Sequence, residues 1–164
     1  MLDTTEFVIQ ALIEDGKLTE NGAADLRRYA AEHELTLEEA VIRLKKVSTR
    51  DLAVAKSIIC EYPFVDLALI DPDIRNSRRL PKTMAERLIA FPIYVLGDVA
   101  TVAMEDPLDL QAMDLLQQTL RRQIDPVVCD SELLRNLIVR AYTLDSGNAD
   151  DTALGEDDAV EVSD

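Results

Sequence analysis

Residues 91 to 107 read Phe91-Pro92-Ile93-Tyr94-Val95-Leu96-Gly97-Asp98-Val99-Ala100-Thr101-Val102-Ala103-Met104-Glu105-Asp106-Pro107. Two apolar runs rich in β-branched residues flank Gly97-Asp98, a pattern that predicts a tight hairpin. Glycine comes first in the turn, which favours type II′ over type I′. The second run ends at Glu105-Asp106-Pro107. Pro107 suits the first turn of a helix and Asp106 its N-cap. The sheet of the protein is therefore expected to form around this hairpin.

Downstream, 108 to 120 read as a helix with Leu108, Met113, Leu116 and Leu120 on its apolar side. Arg121 and Arg122 suit its C-terminus. The stretch 124 to 129 reads as a short strand, and Pro126 places it at an edge or makes it a strand start. Asp130-Ser131 cap a last helix, 132 to 143, carrying Leu133, Leu134, Leu137, Ile138 and Tyr142. From Asp145 the chain gathers acids and has no base. It is too polar to offset its ordering entropy by burial, so 145 to 164 read as an acidic, disordered linker or tail.

Upstream, helices are expected over 5 to 14, 20 to 33, from 37, and 49 to 60. The first carries Phe7, Val8, Ala11, Leu12 and Ile13 inward. Gly16 suits the left-handed position after it. Thr19, Thr36 (with Glu39 as a capping box) and Ser48 cap the next three. Leu52, Ala55, Ile58 and Ile59 form the apolar face of the fourth. Residues 1 to 60 thus read as two helix-turn-helix units, a weak internal repeat. A loop and short strand follow at 61 to 67. Two short helices over 73 to 89 are split by Leu80-Pro81. The fold class is α+β: an N-terminal lobe (1 to 60) of two helix-turn-helix units and a C-terminal α/β lobe (61 to 144) with a small sheet containing the hairpin. The acidic tail (145 to 164) follows.

Composition narrows the function. Hydrophobic residues make up 48% of the chain but aromatic ones only 4%, so aliphatic packing must dominate the core. The formal charge of −15 argues against nucleic-acid phosphates and anionic membranes as main partners. No apolar run approaches the roughly 20 residues needed to span a bilayer, and the cytoplasm is the expected location. Cys60, Cys129 and His33 form no CxxC or HExxH spacing, so no metal or cofactor is expected. Both cysteines sit among apolar residues and read as buried, reduced thiols. There is no P-loop GxxxxGK[ST], GxSxG or GxGxxG, and no nucleophile stands near a base, so this chain is not expected to be an enzyme. Arg75, Arg78, Arg79, Lys82 and Arg87 make 75 to 87 the most basic segment. It reads either as a docking surface for an acidic partner or as a solvated helix face.

The order of several segments resembles a known family. Tyr62-Pro63-Phe64-Val65-Asp66-Leu67 is similar to the LPYVDL segment of the MshEN-type N-terminal domain of type II secretion and type IV pilus assembly ATPases. Leu80-Pro81-Lys82-Thr83-Met84-Ala85 and Phe91-Pro92 match its LP-x-x-x-A and following proline. Val102-Ala103-Met104-Glu105-Asp106-Pro107-Leu108-Asp109 resembles its V-A-M-A-D-P-L-D. The resemblance implies a non-catalytic docking and regulatory domain. Its partners would be the cytoplasmic part of an inner-membrane secretion or pilus protein and the hexameric ATPase core of the full-length protein. It would bind no nucleic acid and would be held at the membrane only through its partner.

The resemblance also implies a second reading, cyclic di-GMP sensing. Some members bind that ligand through two repeats of the form R-L-G-x-x-L, then Gly, then Gln. Here the first repeat runs from Phe7 to Leu12 and keeps Gly16. The second runs from Thr36 through Leu37 to Val41, with Lys45 in place of glycine and Ile59 in place of glutamine. The degenerate ligand positions are therefore Leu12, Gly16, Leu37 and Val41. Phe7 and Thr36 cannot fork onto a phosphate as arginine does, and Glu38 sets a negative charge where glycine would admit an anion. The expectation is a retained fold with a lost or very weak nucleotide site. A stand-alone adaptor with no ATPase attached is the third reading.

Overall fold

The computed structural model describes residues 4–153, with side chains to residue 144. Four helices come first: α1 (Thr4–Glu14), α2 (Glu20–His33), α3 (Leu37–Leu44) and α4 (Thr49–Cys60). Their starts follow local chemistry. The Thr19, Thr36 and Ser48 side chains accept from the Gly22, Glu39 and Asp51 amides, and Glu39 returns a bond to Thr36 to complete the capping box. Gly16 turns left-handed at φ 72 after α1, and Lys45 takes the same turn after α3 at φ 56. The two helical units thus share one backbone device, built once with glycine and once without.

Apolar side chains of α1 to α4 form their own cluster, centred on Ile9, Leu26, Val41 and Leu52. Two expected inward residues face out. Phe7 is 48% and Ile58 67% exposed, while Ile9 and Ala53 take inward positions. Helical spacing defines a stripe, but the neighbouring helices decide which edge of that stripe is covered.

The second lobe opens with an irregular segment in which Phe64 forms a single parallel bridge to Val128, where a strand was expected. Two short 3-10 turns follow, Leu67–Leu69 and Ile74–Arg79, then α5 (Lys82–Leu88). The hairpin forms as expected: β1 (Ala90–Leu96) pairs antiparallel with β2 (Val99–Met104). Gly97 has φ 60 and Asp98 is not left-handed, the φ pattern of a type II′ turn. A register shift falls between Pro92 and Tyr94. The Asn76 side-chain amide donates to the Pro92 and Ile93 carbonyls at 2.9 and 3.4 Å, filling what the irregularity leaves open.

Helix α6 (Leu110–Leu120) then crosses to β3 (Gln123–Val128), which pairs parallel with β2, giving the order β1-β2-β3. The N-cap of α6 is Asp109, which accepts from the Ala112 amide. Asp106, expected in that role, accepts from Leu108 in the preceding turn. The helix starts later than the proline alone indicated, and Leu108 and Leu110 stay exposed. The last helix, α7, runs Ser131–Ala153, ten residues beyond the expected end at 143. Once its first turns are nucleated at Asp130 and packed through Leu134, Leu137, Ile138 and Tyr142, each further residue adds at little cost. Helical backbone therefore covers the first part of the acidic stretch. Residues 154–164 lie outside the described residues.

Candidate functional site

A cleft of about 550 Å³ opens between the two lobes. Its walls are Thr4, Thr5 and Val8 of α1, the start of α3 (Thr36, Leu37, Glu38), Lys56 and Cys60 of α4, and Glu105, Asp106 and Leu108 after β2. The start of each helical unit reaches it, so Val8 and the stretch 36 to 38, distant in sequence, share one wall.

A buried polar chain lines the cleft. Lys56 Nζ donates to Glu38 Oε2 at 2.5 Å and to the Glu105 carbonyl. The Glu105 carboxylate accepts a forked pair of bonds from Arg135 at 2.9 to 3.1 Å. Their side chains are only 11% (Lys56), 13% (Glu38) and 9% (Glu105) exposed, so each charge depends on its partner. Burial pushes the Glu105 carboxyl above the ordinary carboxylate range and the nearby Glu38 charge adds to this, while Arg135 and Lys56 pull the other way. Two further contacts from α4 join the lobes: Thr49 Oγ1 to Glu132 at 3.3 Å, and Arg50 to Asp66 at 2.8 Å. The Arg50 guanidinium also lies over the Phe64 ring, 5.0 Å from its centre.

Sequence reading missed this network. Lys56 stands four residues after Leu52 and three before Ile59, on the core-facing spacing of α4. A lone lysine there is a signal for a buried partner, but the partner's identity is not local information.

The residues singled out beforehand are dispersed. Leu12 and Val41 are buried within the helical cluster. Gly16 is exposed in its turn, and Leu37 forms part of the cleft wall. Arg75, Arg78 and Arg79 line one small cleft with Asp73 and Asn76, whereas Lys82 and Arg87 are exposed on α5. Arg75 forks onto Asp73 at 3.0 Å and holds that carboxyl below its ordinary range.

Cys129 is buried and its thiol is pushed up to about 12 by burial. Cys60 is half-buried, and burial raises it as well. Neither is a ready nucleophile. His33 stacks on Tyr29 at 4.1 Å, away from the cleft. Among the described residues no three His, Cys, Asp or Glu side chains gather as metal ligands. Three carboxylates, Glu38, Glu105 and Asp106, stand against one lysine on the cleft wall, which makes it a poor host for an anion.

A four-helix lobe set on a three-stranded α/β lobe, with a polar cleft between them, defines a small two-lobed α+β module. The MshEN domain model matches residues 60–148, and the chain belongs to that family. It is 28% identical over 111 residues to the type IV pilus assembly ATPase PilB of Thermus thermophilus, a match covering 65% of this chain and 12% of that protein. It is 22% identical over 134 residues to PilB of Acinetobacter baylyi, covering 79% and 22% respectively. The chain therefore spans only a small part of these relatives. A solved structure of MshE with cdg superposes with a TM-score of 0.63 at 25% identity, covering 87% of this chain and 100% of that one. The N-terminal domain of XpsE superposes with a TM-score of 0.66 at 20% identity, covering 85% and 96%. Among the described residues no helix is long and apolar enough to cross a membrane.

Proposed function

We propose that this chain is the non-catalytic docking and regulatory domain of a secretion or pilus assembly ATPase. Its partner is the cytoplasmic part of an inner-membrane component of the same machine. One observation carries the reading: the chain aligns with a limited part of two pilus ATPases and folds like the isolated N-terminal domain of XpsE. In the native setting it sits in the cytoplasm and reaches the membrane only through that partner. The test is a binding titration of this chain against the purified cytoplasmic domain of the membrane protein encoded beside it. Micromolar or tighter binding supports docking. No binding by a folded sample removes it.

Cyclic di-GMP sensing is the second reading, favoured by the similarity to MshE, which was solved with cdg. The cleft chemistry opposes it here. Glu38 occupies Lys56, the one lysine on the wall, Glu105 occupies Arg135, and Asp106 adds negative charge. Calorimetry with cyclic di-GMP should show no heat at about 100 μM ligand, and micromolar binding would reverse the order of the two readings.

A further inference from the structure

The docking reading leaves open which face of the chain meets its partner. We infer that the open flank of the hairpin, Tyr94 to Val99, is that face, and that the partner supplies an extended segment with apolar residues flanked by acids. The two edges of the sheet differ. At β3, Phe64 bridges to Val128, Val65 donates to the Val128 carbonyl at 2.9 Å and Val128 donates to Pro63 at 2.8 Å, so that edge is covered at its end. At β1, Asn76 takes the Pro92 and Ile93 carbonyls, and among the described residues no second strand pairs with the outer side of Tyr94 to Leu96, the side away from β2. An open edge of this kind is a template for an added strand.

The side chains there are apolar and outside the core. Tyr94 is 47%, Leu96 84% and Val99 39% exposed. They are contiguous: Tyr94 and Leu96 alternate onto one side of β1, and Leu96 pairs across the hairpin with Val99. Elsewhere Phe7, Ile58 and Leu69 stand apart along the chain, and Leu108 with Leu110 forms a second exposed apolar pair, without a strand edge beside it.

Charge selects the partner. The protein as a whole carries −15, yet a small cleft on the β1 side is lined by Arg75, Arg78 and Arg79 with Asp73, and another, at the hairpin turn on the β3 side, by Arg121 and Arg122 with Asp98. Arg75, Arg78 and Arg79 stand beside Asn76 where it meets β1. At the other end Arg122 donates to the Gly97 carbonyl at 3.0 Å, which fixes its positive charge at the turn, with Arg121 next to it. A basic rim around an apolar strip steers an acidic segment toward it, while the net −15 on each chain opposes general association of two copies.

The inference rests on the docking reading, and one experiment separates the two. Hydrogen exchange is measured on this chain alone and with the purified cytoplasmic domain of the membrane protein encoded beside it. Slowed exchange at 94 to 99 is the expected result. Binding with protection confined to other segments would overturn the surface while leaving docking intact, and no binding would remove both. Leu96→Asp should weaken the affinity at least tenfold, and Arg79→Glu should slow association several-fold with the loss growing at low salt. Both side chains are exposed, so the fold should survive. Tyr94→Ala, a second apolar truncation, should weaken binding in the same direction. Unchanged affinity in Leu96→Asp and Tyr94→Ala together would exclude the hairpin.

Discussion

The two lobes bury their apolar surface in different ways. The helical lobe packs aliphatic side chains between four short helices, and its cluster centres on Ile9, Leu26, Val41 and Leu52. The sheet lobe is built on Phe91, which is fully buried, meets the Tyr142 ring edge-on at 6.1 Å and is enclosed by β2 and α7. Tyr142 then donates to the Leu80 carbonyl at 2.6 Å, tying α7 to the segment before α5. The family model matches 60–148, the sheet lobe, while the degenerate repeat positions all lie in the helical lobe. A core organised by one aromatic and one hairpin constrains sequence tightly. A core of interchangeable aliphatic residues leaves more room for change on its surface.

That contrast predicts a hierarchy of effects. The largest belongs to Phe91→Ala, which should cost about 3–5 kcal/mol in guanidinium unfolding. Leu26→Ala in the helical lobe should cost about 2–4 kcal/mol. Hydrogen exchange on the two variants sharpens the comparison. Leu26→Ala should lose protection over 4 to 60 first, and Phe91→Ala over 61 to 144. Simultaneous loss everywhere would make the lobes one cooperative unit.

Next comes the joint between them. Lys56→Met leaves Glu38 buried without its cation and should cost about 3 kcal/mol, the low end for breaking a buried pair. Adding Glu38→Leu should restore most of that, because replacing both charges removes the desolvation problem. Full stability in the single variant would show that neither the ion pair to Glu38 within the helical lobe nor the Lys56 bond across the cleft to the Glu105 carbonyl contributes.

A smaller effect tests the repeated turn. Lys45 adopts at φ 56 the backbone that Gly16 adopts at φ 72. Lys45→Gly should raise stability by about 0.5–1 kcal/mol and Gly16→Ala should lower it by a similar amount. Equal and null results would mean that the left-handed residues are not strained.

The smallest effect is a pH slope. Glu105 holds its proton more tightly in the fold than in the unfolded chain. Its contribution therefore favours the fold below the ordinary glutamate value and is lost as pH rises through the folded value. Stability of the native protein relative to Glu105→Gln should thus fall as pH rises above the ordinary glutamate value of about 4.3. A difference that stays flat with pH would show that Arg135 and Lys56 fully offset the burial.

Much of this architecture is legible residue by residue. The hairpin is written in Gly97 and its flanking runs, and the helix starts in Thr19, Thr36, Ser48 and Asp130, because caps and turns act over three or four residues. Their partners sit close by in sequence, so the chain announces them. The N-cap at Asp109 was misplaced to Asp106 because two aspartates near one proline are locally equivalent until Ala112 is positioned. The site was far less legible. Glu38, Lys56, Glu105 and Arg135 are 18 to 97 positions apart, and only folding brings them together.

Sequence alone thus determined most of the secondary elements, the caps at Thr19, Thr36, Ser48 and Asp130, and the II′ turn. Those properties follow from local sterics and from hydrogen bonds within one turn of chain. Other features were settled only by the tertiary arrangement: the parallel pairing of β3, the outward turn of Phe7 and Ile58, the covered edge at Phe64 and the bond from Lys56 across the cleft to the Glu105 carbonyl. Each depends on which surfaces from distant parts of the chain leave water together. No short window of sequence records that information, because the apolar burial that stabilises these contacts, and the pairing that offsets the desolvation of buried charges, exist only once distant segments have met.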